Sequence, residues 1–479
     1  MALVSEEQVI KVLQHYNQWW KEPEKIQSLT KPQKRVAYNE AMKFLTHPSI
    51  RRFVVLSGAR RVGKTTIMFQ MIEDLLKQGV APRNILYITF DNPLVKLISI
   101  DDVLNIYESL YPIEGKKYLF FDEVQYTNNW ELWMKVLYDS RQDICLTATG
   151  SASPIIQKGA ADSGAGRWTM LKIPTLSFYE YCELLQLKER PALNSNIHLS
   201  ELANLTKGEF AELANVFSPL VQHFNRYLLI GGFPELVLSD DDTYAQRLLR
   251  EDVVDKVIKR DVLTLFNVRN PLLMEKLFLY LCINSSGIFN AQTATKELGN
   301  ISVTTLENYL EFLEKSNLIY RSNPIDVGSK GALKGRPKIY VADPAIRNAV
   351  LMIDNVQSNE REMGIMVETA VFKHFVSFYE GKTAKIGYFR KLKDNQKEVD
   401  VVIDQPAGKV LCEVKYRNDS SVLASDAVVT LASDPNSQVT SAFIATKKLT
   451  DYGASNHDTQ VPVVRIPALI LLYLLGKAD

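Results

Sequence analysis

Residues 52–66, RFVVLSGARRVGKTT, decide how this chain folds. Arg52 to Ser57 is a short, apolar, β-branched run and predicts a strand. Gly58, Ala59, Arg60, Arg61, Val62, Gly63, Lys64 and Thr65 then meet every fixed position of the phosphate-binding pattern G-x-x-x-x-G-K-[ST], and Thr66 follows. Thr66 to Lys77 has helical spacing, with Ile67, Met71, Leu75 and Leu76 on one face. A strand that feeds a glycine-rich turn and opens a helix is what phosphate chemistry needs. The glycines let successive backbone N–H groups turn inward toward phosphate oxygens, and the helix N-terminus adds partial positive charge. In this arrangement Lys64 reaches the β- and γ-phosphates of ATP, and Thr65 holds Mg²⁺.

Lys117 to Gln125, KYLFFDEVQ, supplies the second half of the chemistry. Tyr118 to Phe121 is a continuous apolar run, as expected of a strand covered on both faces of a parallel sheet. It ends in Asp122 and Glu123, at the strand edge where ligands sit in such sheets. Asp122 is placed to bind Mg²⁺ through water, and Glu123 to orient or deprotonate the attacking water. The second acid points to hydrolysis rather than binding alone. Ile85 to Phe90 and Ile144 to Thr149 read as further strands. A polar residue at the tip of the latter can sense the γ-phosphate; Ser151 and Thr149 are the candidates, and an ordinary Ser/Thr-rich loop is the competing reading.

The 479 residues suffice for two to four domains, and 46% hydrophobic with 23% charged residues is an ordinary globular composition. A formal net charge of +1 announces no nucleic-acid binder, so contact with DNA would have to come from local patches. Cys145, Cys182, Cys282 and Cys412 are far apart and form no C-x-x-C, which argues against a zinc site or a disulfide framework and suits a cytoplasmic location. The start, MALVSEEQVI, has no signal-peptide pattern. Ile466 to Leu475 is too short to span a bilayer and contains Pro467, so it reads as a terminal core element, and no membrane partner is expected.

The chain divides by pattern. Residues 1–50 read as a helical, amphipathic segment containing Trp19 and Trp20. Residues 51–180 alternate strands and helices around a parallel sheet. Residues 181–265 are helical, with a turn at Gly231-Gly232-Phe233-Pro234, and suggest a helical lid. Residues 266–350 hold helices near 275–282, 293–298 and 302–313. Strand candidates follow at 318–321 and 338–341, flanking a basic, glycine-rich loop with Lys330, Lys334 and Arg336. That order describes a winged-helix domain, a helix-turn-helix relative, in which the second helix of the helix-turn-helix pair, at 302–313, can enter a DNA major groove. Glu307, Glu311 and Glu314 give that helix little positive charge, and a packing role is the alternative.

Residues 351–479 carry a second chemical pattern. Glu398 to Ile403 and Val410 to Tyr416 read as strands, and Gly364 to Phe375 as a helix bearing Glu368. Side chains alternate along a strand, so Glu413 and Lys415 share one face. An acid at Asp400 followed one hairpin later by E-x-K is the arrangement of the PD-(D/E)xK nuclease core. Asp400 and Glu413, with Glu368 nearby, would hold Mg²⁺, and Lys415 would position the water. Lys382, Lys385, Arg390, Lys391, Lys393 and Lys397 suit a phosphate-rich ligand or a solvated surface equally. The competing reading is a nuclease-like fold used structurally.

GARRVGKTT, LFFDEVQ, TATGSAS, the Gly166-Arg167 pair with PTLSFYE at 174–180, YLLIGGFPELV, VIKRDV, KIYVADPAI, GIMVETAVF, EVDVVI and CEVKYR together resemble a family of prokaryotic AAA-type ATPases. Its members join a P-loop module to a C-terminal domain with a nuclease-like core. Thr175 is an insertion or variation in the segment that resembles the family's PLSFxE. The resemblance implies an α/β fold in which a P-loop AAA-type parallel-sheet domain with a helical lid precedes the winged-helix and nuclease-like domains. It implies ATP hydrolysis with Mg²⁺, self-association into homo-oligomers, and action on or near DNA or through a partner protein. It also implies that Arg167 serves as an arginine finger reaching a neighbouring subunit's nucleotide. A structural salt bridge is the other reading of Arg167.

Overall fold

The computed structural model describes residues 4–150, 166–191, 199–262, 268, 270–325, 335–353, 355–391 and 397–477. The chain forms two compact units, one of Met1–Pro174 with Lys315–Asn317 and one of Thr175–Glu314 with Leu318–Asp479.

The first unit is built on β1 (Phe53–Ser57), β2 (Ile85–Thr89), β3 (Lys117–Asp122), β4 (Ile144–Gly150) and β5 (Trp168–Lys172). They lie in the order β2-β3-β4-β1-β5, every neighbouring pair parallel. The helices are α1 (Glu6–Tyr16), α2 (Val36–Leu45), α3 (Lys64–Lys77), α4 (Ile100–Leu110) and α5 (Trp130–Ser140). β1 is buried at every residue, which is why its sequence shows no polar alternation. α1 and α4 begin with capping boxes, Ser5 with Gln8 and Ser99 with Asp102, which satisfy otherwise orphaned N–H groups.

β2 is an edge strand, and an open edge invites pairing with other chains. Here the segment after α1 covers it. The Asn17 side chain donates to the Tyr87 carbonyl at 2.8 Å and accepts from the Tyr87 N–H at 2.6 Å, as a neighbouring strand would. Both indole N–H groups of Trp19 and Trp20 donate to the Ile85 carbonyl. Asn17, Trp19 and Trp20 thus cover this edge of the sheet.

The second unit opens with helices α6 (Phe178–Leu184), α7 (Lys207–Phe217), α8 (Val221–Ile230) and α9 (Asp242–Leu248). Gly231, at φ 78, breaks the chain after α8, as the Gly-Gly-Phe-Pro sequence predicts. Next come α10 (Pro271–Ile283), α11 (Ala291–Glu297) and α12 (Val303–Lys315), then the antiparallel hairpin of β6 (Ile319–Pro324) and β7 (Lys338–Val341). The hairpin also ends a larger sheet, because Asn323 and Pro324 of β6 pair parallel with Gly387 and Tyr388 of β8 (Lys385–Arg390). That pairing runs across residue 350, where the sequence pattern suggests a domain boundary.

The sheet continues through β9 (Glu398–Gln405), β10 (Gly408–Lys415), β11 (Val439–Thr446), β12 (Gly453–Ala454) and β13 (Val463–Pro467), in the order β12-β13-β11-β10-β9-β8-β6-β7. Its helices are α13 (Pro344–Leu351), α14 (Glu360–Tyr379), α15 (Ala427–Ser433) and α16 (Ala468–Lys477). Val428, Leu431 and Ala432 of α15 pack with Val402, Leu411 and Ile444 of the sheet. α16 is buried from Ala468 to Leu475; the apolar run predicts a core element there, and the structure makes it the end of β13 followed by a helix. Among the described residues no helix is long and apolar enough to cross a membrane.

A buried ion pair pins this unit. Lys373 of α14 and Asp343, the N-cap of α13, are 1% and 0% exposed at their side chains. Lys373 Nζ donates to Asp343 Oδ2, the Tyr227 hydroxyl and the Leu176 carbonyl, so all three of its protons have acceptors. Asp343 Oδ2 also accepts from the Thr175 hydroxyl and the Gly232 N–H. A buried pair is tolerable only when satisfied in this way.

Candidate functional site

The carboxyl ends of the parallel strands collect the polar groups of the first unit. Arg61 at φ 62 and Gly63 at φ 94 give the loop after β1 the left-handed residues that turn its backbone around. Lys64, the first residue of α3, is 5% exposed, and its ammonium donates to the Gly58 and Ala59 carbonyls at 2.9 and 2.8 Å. Val62 is buried, and its carbonyl accepts from Arg35, which also donates to the Pro174 carbonyl. Gly58 lies so close to the Ile173 carbonyl that no Cβ fits between them. Arg60 donates to the Tyr126 hydroxyl at 2.7 Å. Thr65 and Thr66 sit half-buried in the first turn of α3.

Three hydroxyls converge on Asp122. Thr65 Oγ1 donates to Oδ2 at 3.0 Å, Tyr87 Oη to the same oxygen at 2.9 Å, and Thr149 Oγ1 to Oδ1. Thr149 can do this because β4 lies between β1 and β3, and its tip faces both. Burial and then the Glu123 charge push the Asp122 carboxyl above its usual range, while the three hydroxyls oppose that rise. Thr149 Oγ1 also accepts the Glu123 N–H at 3.0 Å. Glu123 itself stands at φ 53, in the left-handed region, and its carboxylate accepts from the Gln125 amide. A non-glycine residue held there is strained, and such strain gathers at functional sites.

The residues fit Mg²⁺ and a nucleoside triphosphate. A hydroxyl and a carboxylate 3.0 Å apart are hard oxygen donors at the mouth of a phosphate-shaped loop. Ser151 lies outside the described residues, as do Lys330, Lys334 and Lys393; Thr149, the alternative to Ser151, lies within the site.

Arg167 is elsewhere. β5 runs parallel to β1 with Phe53 opposite Trp168, so Arg167 precedes the amino ends of the strands, at the opposite edge of the sheet from Asp122. Its guanidinium pairs with Asp139 of α5 at 2.9 and 3.0 Å.

In the second unit, Glu368, Asp400, Glu413 and Lys415 are neighbours, and Lys338 joins them. Lys338 Nζ lies 2.9 Å from Asp400 Oδ1 and 3.1 Å from Glu368 Oε1, and also meets Glu398. Tyr340 donates to the same oxygen of Glu368 at 2.9 Å, and Asp400 Oδ2 accepts the Val414 N–H. Burial pulls the Lys338 ammonium down, but the carboxylates around it hold it well above the usual lysine range. Lys415 turns to Asp426 and the Ser421 carbonyl, and stands 3.6 Å from Glu413. Burial pushes the Glu413 carboxyl up to about 7, and its Oε2 has no hydrogen-bond partner among the described residues. As arranged, these residues do not fit a divalent ion, because an ammonium already stands between Glu368 and Asp400. Among the described residues no group of three or more His, Cys, Asp or Glu could hold a metal ion.

Sequence reasoning missed Tyr87, Asn17 and Lys338. Tyr87 is the one hydroxyl-bearing aromatic within ILYIT, and Lys338 is a lysine opening an apolar strand. These two signals existed, but neither names a partner, and Asn17 carries no signal of its own.

Comparison with known proteins adds three family matches. Residues 50–182 match the family described as AAA domain. Residues 221–357 and 363–469 match two domains of unknown function, DUF8612 and DUF4143. An uncharacterized protein of Methanocaldococcus jannaschii is 29% identical over 293 residues, covering 60% of this chain and 60% of that protein. An uncharacterized protein of Haemophilus influenzae is 25% identical over 300 residues, 61% of this chain and 68% of that one. The chain therefore spans only 60% of the length of the Methanocaldococcus relative. Among solved structures, a Walker-type ATPase of Pyrococcus abyssi aligns with a TM-score of 0.40 and 14% identity, covering 67% of this chain and 98% of that one. The ORC2 protein of Aeropyrum pernix aligns with a TM-score of 0.36 and 12% identity, covering 67% and 95%. Both are weak overall likenesses. The stretch that is similar to the AAA domain family holds the phosphate loop and Asp122.

Proposed function

We propose that this AAA-type P-loop domain binds ATP with Mg²⁺ and hydrolyses it, and that the turnover drives or switches the second unit. The observation that carries the reading is the knot of hydroxyls around Asp122 and Glu123. Inward-facing loop N–H groups and Lys64 receive the β- and γ-phosphates. Lys64 is already held by two loop carbonyls, so little side-chain entropy remains to be lost when phosphate arrives. Thr65 and Asp122 would hold Mg²⁺, which when bound supplies charge neutralisation at the phosphates. Glu123 orients the attacking water and accepts its proton. Thr149 fixes Glu123 through its backbone N–H, so one hydroxyl aligns both acids.

For the partner, the exposed side of α12 favours one reading. Glu307 and Glu311 are exposed there, and Arg321 is paired with Glu307 and Glu314. Before Lys315 this helix carries no basic side chain to meet phosphate, which favours a nucleotide-switched protein that recruits a partner protein over duplex reading by a winged helix. Action on or near DNA rests on the basic residues of the sequence and on family resemblance. An ATP-regulated nuclease would need an ion where Lys338 stands.

ATPase turnover measured with and without duplex and single-stranded DNA, beside product sizes on a gel, tests these readings together. Turnover indifferent to DNA supports the protein-binding switch. Stimulation without cutting supports action on DNA, and ATP-dependent fragments support the nuclease. Absence of turnover under every condition would remove the hydrolase reading.

A further inference from the structure

Lys338 is an unusual residue for its place. It opens β7, is 3% exposed, and puts its ammonium among three carboxylates, Glu368 of α14 and Glu398 and Asp400 of β9. β7 and β9 are not adjacent in the sheet, since β6 and β8 lie between them. The lysine therefore ties the outermost strand to a distant strand and to the central helix. A buried ammonium is severely destabilising unless all its protons find acceptors, and here three acids meet them.

We propose that Lys338 is the resident cation of the C-terminal core, standing where the acid and E-x-K pattern would otherwise place a divalent metal, and that this core binds no divalent ion. One oxygen of Glu368 and both oxygens of Asp400 already accept hydrogen bonds. Glu368 Oε1 accepts from both Lys338 and Tyr340. Asp400 accepts Lys338 on Oδ1 and the Val414 N–H on Oδ2. Glu413 has an oxygen to spare, but one carboxylate does not capture a hard dication that takes six or more oxygens, as Ca²⁺ does, or the near-ideal octahedron of Mg²⁺. A dication entering here would meet the charge of Lys338, itself only 4% exposed at its side chain, at short range. The E-x-K lysine points the same way, because Lys415 is engaged with Asp426 and the Ser421 carbonyl instead of facing Asp400. The core's acids thus serve to hold the sheet and α14 together. This inference is independent of the ATPase reading.

The test uses the full chain carrying Asp122→Asn, which removes the other candidate ion site. Mn²⁺ is titrated in and the free ion is followed by its paramagnetic resonance signal. This parent is expected to bind no Mn²⁺ saturably. Adding Lys338→Gln, with native circular dichroism as the check on folding, is expected to create a saturable Mn²⁺ site that disappears again with Asp400→Asn. Saturable binding by the parent that Asp400→Asn abolishes, or no binding by a folded Lys338→Gln protein, would overturn the proposal. If Lys338→Gln does not fold, the parent titration decides alone.

Discussion

At the residue scale, roles separate by what each group touches. Lys64 meets phosphate charge, so Lys64→Ala should abolish ATP binding in a direct binding titration. Glu123 acts on water, so Glu123→Gln should bind ATP normally and lose turnover, with a barrier raised by about 3 kcal/mol, as for other groups that act in the transition state. Turnover near the parent rate would remove Glu123 from the chemistry. Tyr87 acts through another residue. Thr65 would turn to Mg²⁺ when the ion binds, leaving Tyr87 and Thr149 to hold Asp122. Tyr87→Phe should therefore leave ATP affinity in EDTA unchanged, while the gain in affinity on adding Mg²⁺ falls by about tenfold, as for other groups that orient metal ligands. An unchanged gain would make the hydroxyl a mere core filler. Thr65, Asp122 and Glu123 were legible as candidates because a chemical motif fixes their spacing. Tyr87 was not, because its role depends on which strand lies beside β3.

At the scale of elements, the N-terminal segment is part of the sheet rather than an appendage. Asn17, 1% exposed, satisfies both backbone groups of Tyr87. Asn17→Ala leaves a buried N–H and C=O without partners and should destabilise the first unit by about 1–3 kcal/mol, read as a lowered midpoint in thermal unfolding. It should also loosen β2 and with it Tyr87, so the Mg²⁺ effect described for Tyr87→Phe should appear in weaker form. An unaltered midpoint would mean that water satisfies these groups and the segment lies on the edge loosely. The strands near 53–57 and 117–122 follow from continuous apolar runs, and the helix near 64–77 from its periodicity. The covering of β2 does not, since Asn17, Trp19 and Trp20 carry no pattern that specifies a strand edge.

At the scale of the whole molecule, two properties await measurement. Arg167 lies away from its own chain's phosphate loop, so any role in hydrolysis must be played toward another subunit. Specific activity should then rise with protein concentration, and mixing Arg167→Ala with Lys64→Ala protein should restore activity that neither has alone. Constant specific activity with no rescue would leave Arg167 as the ion-pair partner of Asp139. The second property is acid sensitivity. His374 is buried in α14, where it accepts the Phe178 N–H at 2.9 Å. Burial, with the Lys373 charge beside it and against the pull of the Ala370 carbonyl and Glu180, lowers its pKa to about 3 from an ordinary 6.5. Between those values the unfolded chain binds a proton that the folded chain refuses, so stability falls as pH drops below about 6.5 and levels near 3. The contribution is on the order of 3–5 kcal/mol at its limit. His374→Gln should flatten the fall of unfolding midpoint across that window, and an equal slope in both proteins would place the acid sensitivity elsewhere.

The sequence by itself determined the phosphate loop, the strand ending in Asp122 and Glu123, the buried character of Ile466 to Leu475 and the run of helices before the hairpin. These are local: a glycine pattern, an apolar run or a helical period fixes them within a dozen or so residues. Tertiary structure alone decided that β4 stands between β1 and β3, which lets Thr149 hold both acids. It alone brought Tyr87 to Asp122, Lys373 to Asp343, and Lys338 into the acids of the second unit. Such pairings join residues far apart in the chain. The energy of a buried polar group depends on the partner that packing delivers, and no residue carries that information alone.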